Sequence, residues 1–215
     1  MKRFLPLVLL MGCQVVPPTP PAPPSLAPSL SPQSWTLLDS SASGDPTHPV
    51  SCAGYAWCIA IPSQGNSFNY LTDSFSGVNL AGKTLTLTFV VKAQPKTVYT
   101  PANGESGPMQ FHLFLQRAGD NWTGSTGVYE YYRWWATGCQ PYVLGSKDNQ
   151  VVTLSCPLNY QSWSDVQGKT LNVDFVDALN NLSNFGITCG GVGGWGHGCY
   201  ASPAAEVDLV SATIQ

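Results

Sequence analysis

Charge is scarce in this sequence: 10% of its 215 residues are Asp, Glu, Lys or Arg. Nine basic and twelve acidic side chains leave a net charge of −3, and setting aside Lys2 and Arg3 brings the remainder to −5. Phosphate backbones are held by basic surfaces, so nucleic acid is not an expected partner. Long apolar runs are lacking too. The apolar stretch from Phe4 to Met11 falls short of the ~20 residues with which a helix crosses a bilayer. The cysteines include no CxxC pair and the three histidines have no ligand spacing, which argues against a zinc-thiolate centre. A serine nucleophile has no G-x-S-x-G elbow to sit on, no phosphate-binding loop occurs, and no internal repeat is apparent.

The N terminus carries a different signal. Met1-Lys2-Arg3 is a short basic segment, and the apolar stretch after it has the length of a secretory signal core. Its end, Leu10-Met11-Gly12-Cys13, resembles the lipobox of bacterial lipoproteins. That resemblance implies a signal peptide over 1–12, cleaved before Cys13, and acylation of the Cys13 thiol and the new amino terminus. Two or three acyl chains on one residue give stable anchoring where one gives only marginal binding. Gln14 follows where many inner-membrane lipoproteins carry Asp, so the sorting rule leans towards the outer membrane or cell surface. The partner implied at this end is the membrane, through its lipid anchor.

In residues 15–32, eight of eighteen are proline. Proline fixes φ and lacks an amide hydrogen, so the segment favours polyproline II at about 3.1 Å per residue, roughly 50 Å in all. Residues 13–33 are therefore expected to be an acylated cysteine and a spacer, and residues 34–215 one domain.

Six cysteines remain: Cys52, Cys58, Cys139, Cys156, Cys189 and Cys199. Outside the cytoplasm they oxidise, and six allow fifteen pairings. Proximity favours Cys52 with Cys58, Cys139 with Cys156 and Cys189 with Cys199, three local staples that pin loops rather than hold the fold.

Strand signals dominate the domain. Residues 83–91 alternate Leu85, Leu87 and Phe89 with threonines, and residues 109–117 set Phe111, Leu113 and Leu115 against Gln110, His112, Phe114 and Gln116. This is the period of a sheet with one buried face. Residues 128–137, 150–156, 185–190 and 205–215 are further candidates, separated by turn-forming segments such as "AGDNWTGSTG" and "GGVGGWGHG". Over 172–182 the apolar residues Val173, Phe175, Val176, Leu179 and Leu182 recur near helical spacing. Many strands with one short helix predict an all-β, antiparallel sandwich, because the helices of parallel crossovers are missing.

Both faces of residues 128–137 are aromatic: Tyr129, Tyr131, Arg133 and Trp135 on one, Glu130, Tyr132 and Trp134 on the other. One face packs inside. Tyr131, Arg133 and Trp135 are expected to be the open set, since burying an unpaired guanidinium is costly. Sugars suit such a surface, their apolar faces stacking on rings and their hydroxyls needing in-plane partners. Trp122, Trp195 and His197 sit in Gly-rich loops, where a large side chain has few neighbours. The expected ligand-binding set is therefore Gln110, His112, Gln116, Trp122, Tyr131, Arg133, Trp135, Trp195 and His197, and the expected partner a glycan. A lipoprotein gripping another envelope protein through the same rings is an alternative, since Tyr and Trp are also enriched at protein interfaces.

With "FHLFLQRAGDNWTG", "YEYYRWWA" and a Gly-rich turn before the last strand, the domain resembles the β-jelly-roll, galactose-binding-like group that includes many carbohydrate-binding modules. That resemblance implies a jelly roll, non-catalytic sugar binding and a structural calcium, for which Asp120, Asn121 and Asp208 are the available ligands. "QFH" at 110–112 also resembles the Gln-x-His strand of jelly-roll alginate lyases, which would make Gln110 a uronate neutraliser, His112 a base, Tyr131 an acid and Arg133 a carboxylate clamp. The paired-arginine and Tyr-x-Lys-x-Gly segments of those lyases are missing. A glycosidase needs two facing acids, and Glu130 is the one carboxylate in the aromatic strand.

Overall fold

The computed structural model describes residues 28–38, 46–75, 80–123, 127 and 129–215. The signal segment, Cys13 and the first part of the proline segment lie outside the described residues. None of the described helices is long and apolar enough to cross a membrane.

Twelve strands and one helix are described: β1 (Trp35–Leu38), β2 (Trp57–Ile61), β3 (Tyr70–Ser74), β4 (Thr84–Lys92), β5 (Val98–Pro101), β6 (Gln110–Arg117), β7 (Arg133–Trp135), β8 (Tyr142–Val143), β9 (Val151–Pro157), α1 (Asn172–Asn180), β10 (Leu182–Gly190), β11 (Cys199–Ser202) and β12 (Ala205–Ile214). One sheet runs β1-β3-β10-β6-β7, with β8 also paired to β6; a second runs β2-β12-β4-β9; β11 and β5 form a two-stranded ribbon. Every pairing is antiparallel. The fold is an all-β sandwich with one short helix. Leu71, Phe111, Leu113, Leu115, Phe185 and Ile187 from the first sheet meet Ile59, Leu85, Leu87, Phe89, Val91, Val207 and Leu209 from the second in one buried cluster. The alternation read in β4 and β6 thus places the expected residues in the core.

Three expectations are corrected. The helix buries Phe175, Ala178 and Leu179, which lie one turn apart, whereas Val173 and Val176 face solvent; Trp134 covers Phe175 edge-on at 5.1 Å. The strand expected over 128–137 contributes only three residues. Turn hydrogen bonds from Glu130 N–H to Gly127 O at 3.4 Å and from Tyr132 N–H to Tyr129 O at 3.2 Å keep residues 129–132 out of the strand. Third, the disulfides Cys139–Cys156 and Cys189–Cys199 form, but Cys52 and Cys58 are free thiols. Burial, the Cys52 hydrogen bond and the nearby Glu206 and Asp208 carboxylates push the Cys58 thiol up to about 12.

The end of the proline segment lies on the sandwich. Pro28 is buried, Trp35 Nε1 donates to Ser29 O at 2.8 Å, and Ser29 N–H donates to Asp73 Oδ2 at 3.2 Å. Burial pushes the Asp73 carboxyl up to about 6, opposed by hydrogen bonds from Ser34 and from the Ser29 and Ser74 backbone. The folded chain therefore holds this proton to higher pH than the unfolded chain does. The penalty is absent below the ordinary value of 3.8 and fully present above about 6. Asp73→Asn, which keeps an acceptor for Ser29, is expected to raise stability at pH 7 by about 1–3 kcal/mol and to change little near pH 3.5. Urea denaturation at the two pH values checks this; an equal gain at both would contradict it.

Candidate functional site

The site lies on the face of the first sheet turned away from the sandwich core. Register sets its rows. Gln116 stands between Arg133 and Asn184, Phe114 between Trp135 and Gly186, and Thr188 between His112 and Tyr70. Tyr70, Phe114 and Trp135 form a second buried aromatic cluster, with Trp122 and Trp195 packed on it. Three loops build walls over these rows.

The first wall is the turn after β6. Asp120 Oδ1 accepts the Trp122 N–H at 3.0 Å, holding Trp122 at a φ of 64° with its ring 5.1 Å from Tyr70. Asp120 Oδ2 takes Gln116 Nε2 at 2.8 Å and lies 3.1 Å from Arg133 Nε. Arg133 Nη2 donates to Thr123 O at 2.5 Å, and Asn184 Nδ2 donates to Gln116 Oε1 at 2.7 Å. The guanidinium is 5% exposed and also faces the Trp122 ring at 5.6 Å. It is therefore a paired internal cation and not an open clamp. Burial pushes the Tyr70 hydroxyl up, an effect that Arg133 opposes.

The second wall is residues 164–169. Trp135 N–H donates to Ser164 O at 2.9 Å and Ser164 N–H donates to Trp135 O at 3.0 Å, so this segment docks on the edge of β7. Asp165 closes its own turn, Oδ1 accepting from Gln167 N–H and Lys169 N–H, each at 2.8 Å. The Asp165 side chain is buried, which raises its pKa against the pull of those hydrogen bonds.

The third wall is the glycine-rich loop between Cys189 and Cys199, closed by their disulfide. Asn69 Nδ2 donates to Gly196 O at 3.0 Å, and a Cβ on Gly196 would fall 2.1 Å from Tyr70 Oη. Only glycine lets this loop lie so close to the sheet. The close approach sets Trp195 5.4 Å from His112 and 6.4 Å from Trp135, while His197 Nδ1 pairs with Glu105 Oε1.

Together the walls leave a pocket of about 270 Å³, lined by Tyr70, Trp122, Arg133, Trp135, Asp165, Val166, Trp195, His197 and the loop glycines. Indole and phenol rings share its lining with Arg133, Asp165 and His197. Of the residues expected from sequence, Trp122, Arg133, Trp135, Trp195 and His197 converge here. Gln116 shares the sheet face but is buried in the Asp120 network. His112 lies behind Trp195, hydrogen-bonded to Gln110 Oε1 at 3.1 Å; burial pushes its pKa down to about 4, so the imidazole is neutral at pH 7. Tyr131 packs against the main core, because the turn over 129–132 takes it out of step with Arg133 and Trp135.

The open shelf expected of Tyr131, Arg133 and Trp135 is thus replaced by a pocket whose sheet residues are covered at 5% exposure. The base and acid of a lyase, His112 and Tyr131, do not line this pocket. The oxygen ligands considered for calcium are divided as well, Asp120 and Asn121 in the turn after β6 and Asp208 on β12 of the other sheet.

Sequence reasoning missed Tyr70 and Asp165. Asp165 had a readable signal, the "SDVQGK" turn in which an Asp side chain captures later amides. Tyr70 in "NSFNYLTDS" had none, since nothing local marks which side of β3 faces the pocket. Comparison with known proteins returns no matching family model and no significantly similar curated protein.

Proposed function

We propose that this domain is a non-catalytic carbohydrate-binding module that takes one sugar ring, a chain end or a single residue, into the pocket between Trp122, Trp135 and Trp195. The observation that carries this reading is the composition of the pocket: three indoles and a tyrosine around a space of about 270 Å³, edged by Asp165, His197 and Arg133. That volume corresponds to on the order of nine water molecules, too little for a long oligosaccharide to enter sideways. Apolar sugar faces stack on rings, and ring hydroxyls exchange hydrogen bonds with carboxylate and imidazole groups. A jelly-roll relationship to galactose-binding-like modules fits the antiparallel sandwich and belongs to the same proposal. So does the anchor: acylation at Cys13 would hold the domain at the outer membrane or cell surface, and Cys13→Ala is expected to move the protein from the membrane to the soluble fraction.

Glycan-array screening of the full chain tests the reading. Binding to glycans sharing one terminal residue supports it. No glycan binding, together with stoichiometric capture of one envelope protein that is lost in Trp195→Ala, would instead favour an adhesive role. The Cys189–Cys199 staple gives a further prediction. A closed loop of ten residues stabilises by about 3 kcal/mol in the chain-entropy account, and this one also holds Trp195 and His197. Replacing both cysteines by alanine is expected to lower the melting temperature and to weaken sugar binding at a temperature where the protein is still folded. Unchanged affinity in the folded double variant would contradict the role given to the loop.

A further inference from the structure

The second sheet carries a cluster that sugar binding does not use. On its outer face, register puts Asp208 of β12 opposite Cys58 of β2, and Cys52 approaches from the preceding loop. One ligand atom from each of Cys52, Cys58 and Asp208 lies within 4.8 Å of the other two. Asp208 is fully buried. Lys92 Nζ meets its Oδ2 at 2.5 Å, while its Oδ1 has no hydrogen-bond donor among the described residues. Glu206, next but one on the same strand, interacts with both Asp208 and Cys58. Asp208 and Glu206 thus share one lysine, Lys92, which is 44% exposed.

We propose that Cys52, Cys58 and Asp208 bind a divalent cation of the zinc class, with Glu206 beside the fourth coordination position. Two thiolates and a carboxylate match the donor preference of Zn²⁺. In a tetrahedral site with Zn–S of about 2.3 Å, neighbouring ligand atoms sit about 3.8 Å apart, so the cluster needs a contraction of about 1 Å at most. A cation would meet the buried Oδ1, which has no hydrogen-bond donor among the described residues, and leave Lys92 on Oδ2. Binding converts two thiols to thiolates and releases both protons to solvent, so affinity rises with pH. A surface hollow of about 460 Å³ is lined by Lys92 and Glu206, the two residues that flank Asp208.

The test titrates the full chain, freed of metal and kept free of oxygen without reductant so that the Cys139–Cys156 and Cys189–Cys199 disulfides stay closed, with Zn²⁺ and, separately, with Co²⁺. Expected are one zinc per chain, a thiolate-to-cobalt charge-transfer band, and a rise in melting temperature of several degrees with saturating zinc. Cys52→Ser, at a half-buried loop position outside the core, is expected to fold as the parent does and to abolish the band and the zinc-dependent rise; Asp208→Asn is expected to weaken zinc at least tenfold. Folded protein that binds no zinc, or zinc binding that survives Cys52→Ser, overturns the proposal. Recovery of Cys52 and Cys58 as a disulfide in protein isolated without reductant overturns it too.

Discussion

Arg133→Ala is expected to lower the unfolding free energy by about 3–5 kcal/mol, the cost of removing one partner from a buried ion pair. In a domain of this size that is a fall in melting temperature of about 10 °C. The reason is the state in which Asp120 is left. Its side chain is 1% exposed and would keep only the Gln116 amide and the Trp122 N–H as donors. An ion pair on the surface would be worth about 1 kcal/mol or less, so the size of the drop reports burial directly. Combining Arg133→Ala with Asp120→Asn is expected to recover part of the loss, because the second change removes the stranded charge and keeps an acceptor for Trp122. Equilibrium denaturation of the two single variants and the double variant measures this coupling, expected at about 1–3 kcal/mol; strictly additive losses would show that the pair does not act as a unit.

Trp195→Ala is expected to act in the opposite way, with a large effect on binding and a small one on folding. Trp195 sits on a loop and is only partly buried, packed on the edge of the Tyr70, Phe114 and Trp135 cluster. Losing its stacking and the apolar area it covers on a bound ring is expected to cost about 2–3 kcal/mol, or 30- to 150-fold in affinity. The melting temperature should shift by only a few degrees. Trp195→Phe, which keeps a ring, should restore part of the affinity. Trp135→Ala differs, because at 5% exposure that indole belongs to the packed interior and its truncation costs stability as well as affinity.

Most of the sandwich could be read from the chain because β4, β6, β9 and β12 are long strands that alternate cleanly or lie among Val, Leu and Ile. β1, β3, β5, β8 and β11 are short, and their sequences, such as "WTLL" and "YLTDS", show little alternation, so pairing with neighbours decides them. Helical spacing located α1 but misjudged its face, since Val173 and Val176 match the period without meeting the core. The site was legible as a set of residue types and not as a shape. Trp122, Trp195 and His197 stood out because glycine-rich loops rarely carry such side chains. What the sequence could not show is that the Asp120 turn, the Ser164 bridge and the Cys189–Cys199 loop close over the strand face and convert it to a pocket. Two of those closures rest on contacts between residues far apart in the chain, Trp135 with Ser164 and Asn69 with Gly196. Tyr131 was misplaced for a local reason: the turn over 129–132 ends the ladder, and one step of slippage reverses every side chain beyond it.

The chain contains seven tryptophans, and each indole N–H gives its own signal in a ¹H–¹⁵N spectrum of labelled protein, assigned by single Trp→Phe variants. Titration with the sugar selected on the array is expected to shift the signals of Trp122, Trp135 and Trp195 together, along one binding curve, while those of Trp35, Trp57, Trp134 and Trp163 in the sandwich core stay in place. Movement confined to other indoles, or none at ligand concentrations that saturate binding, would contradict the placement of a sugar ring in this pocket.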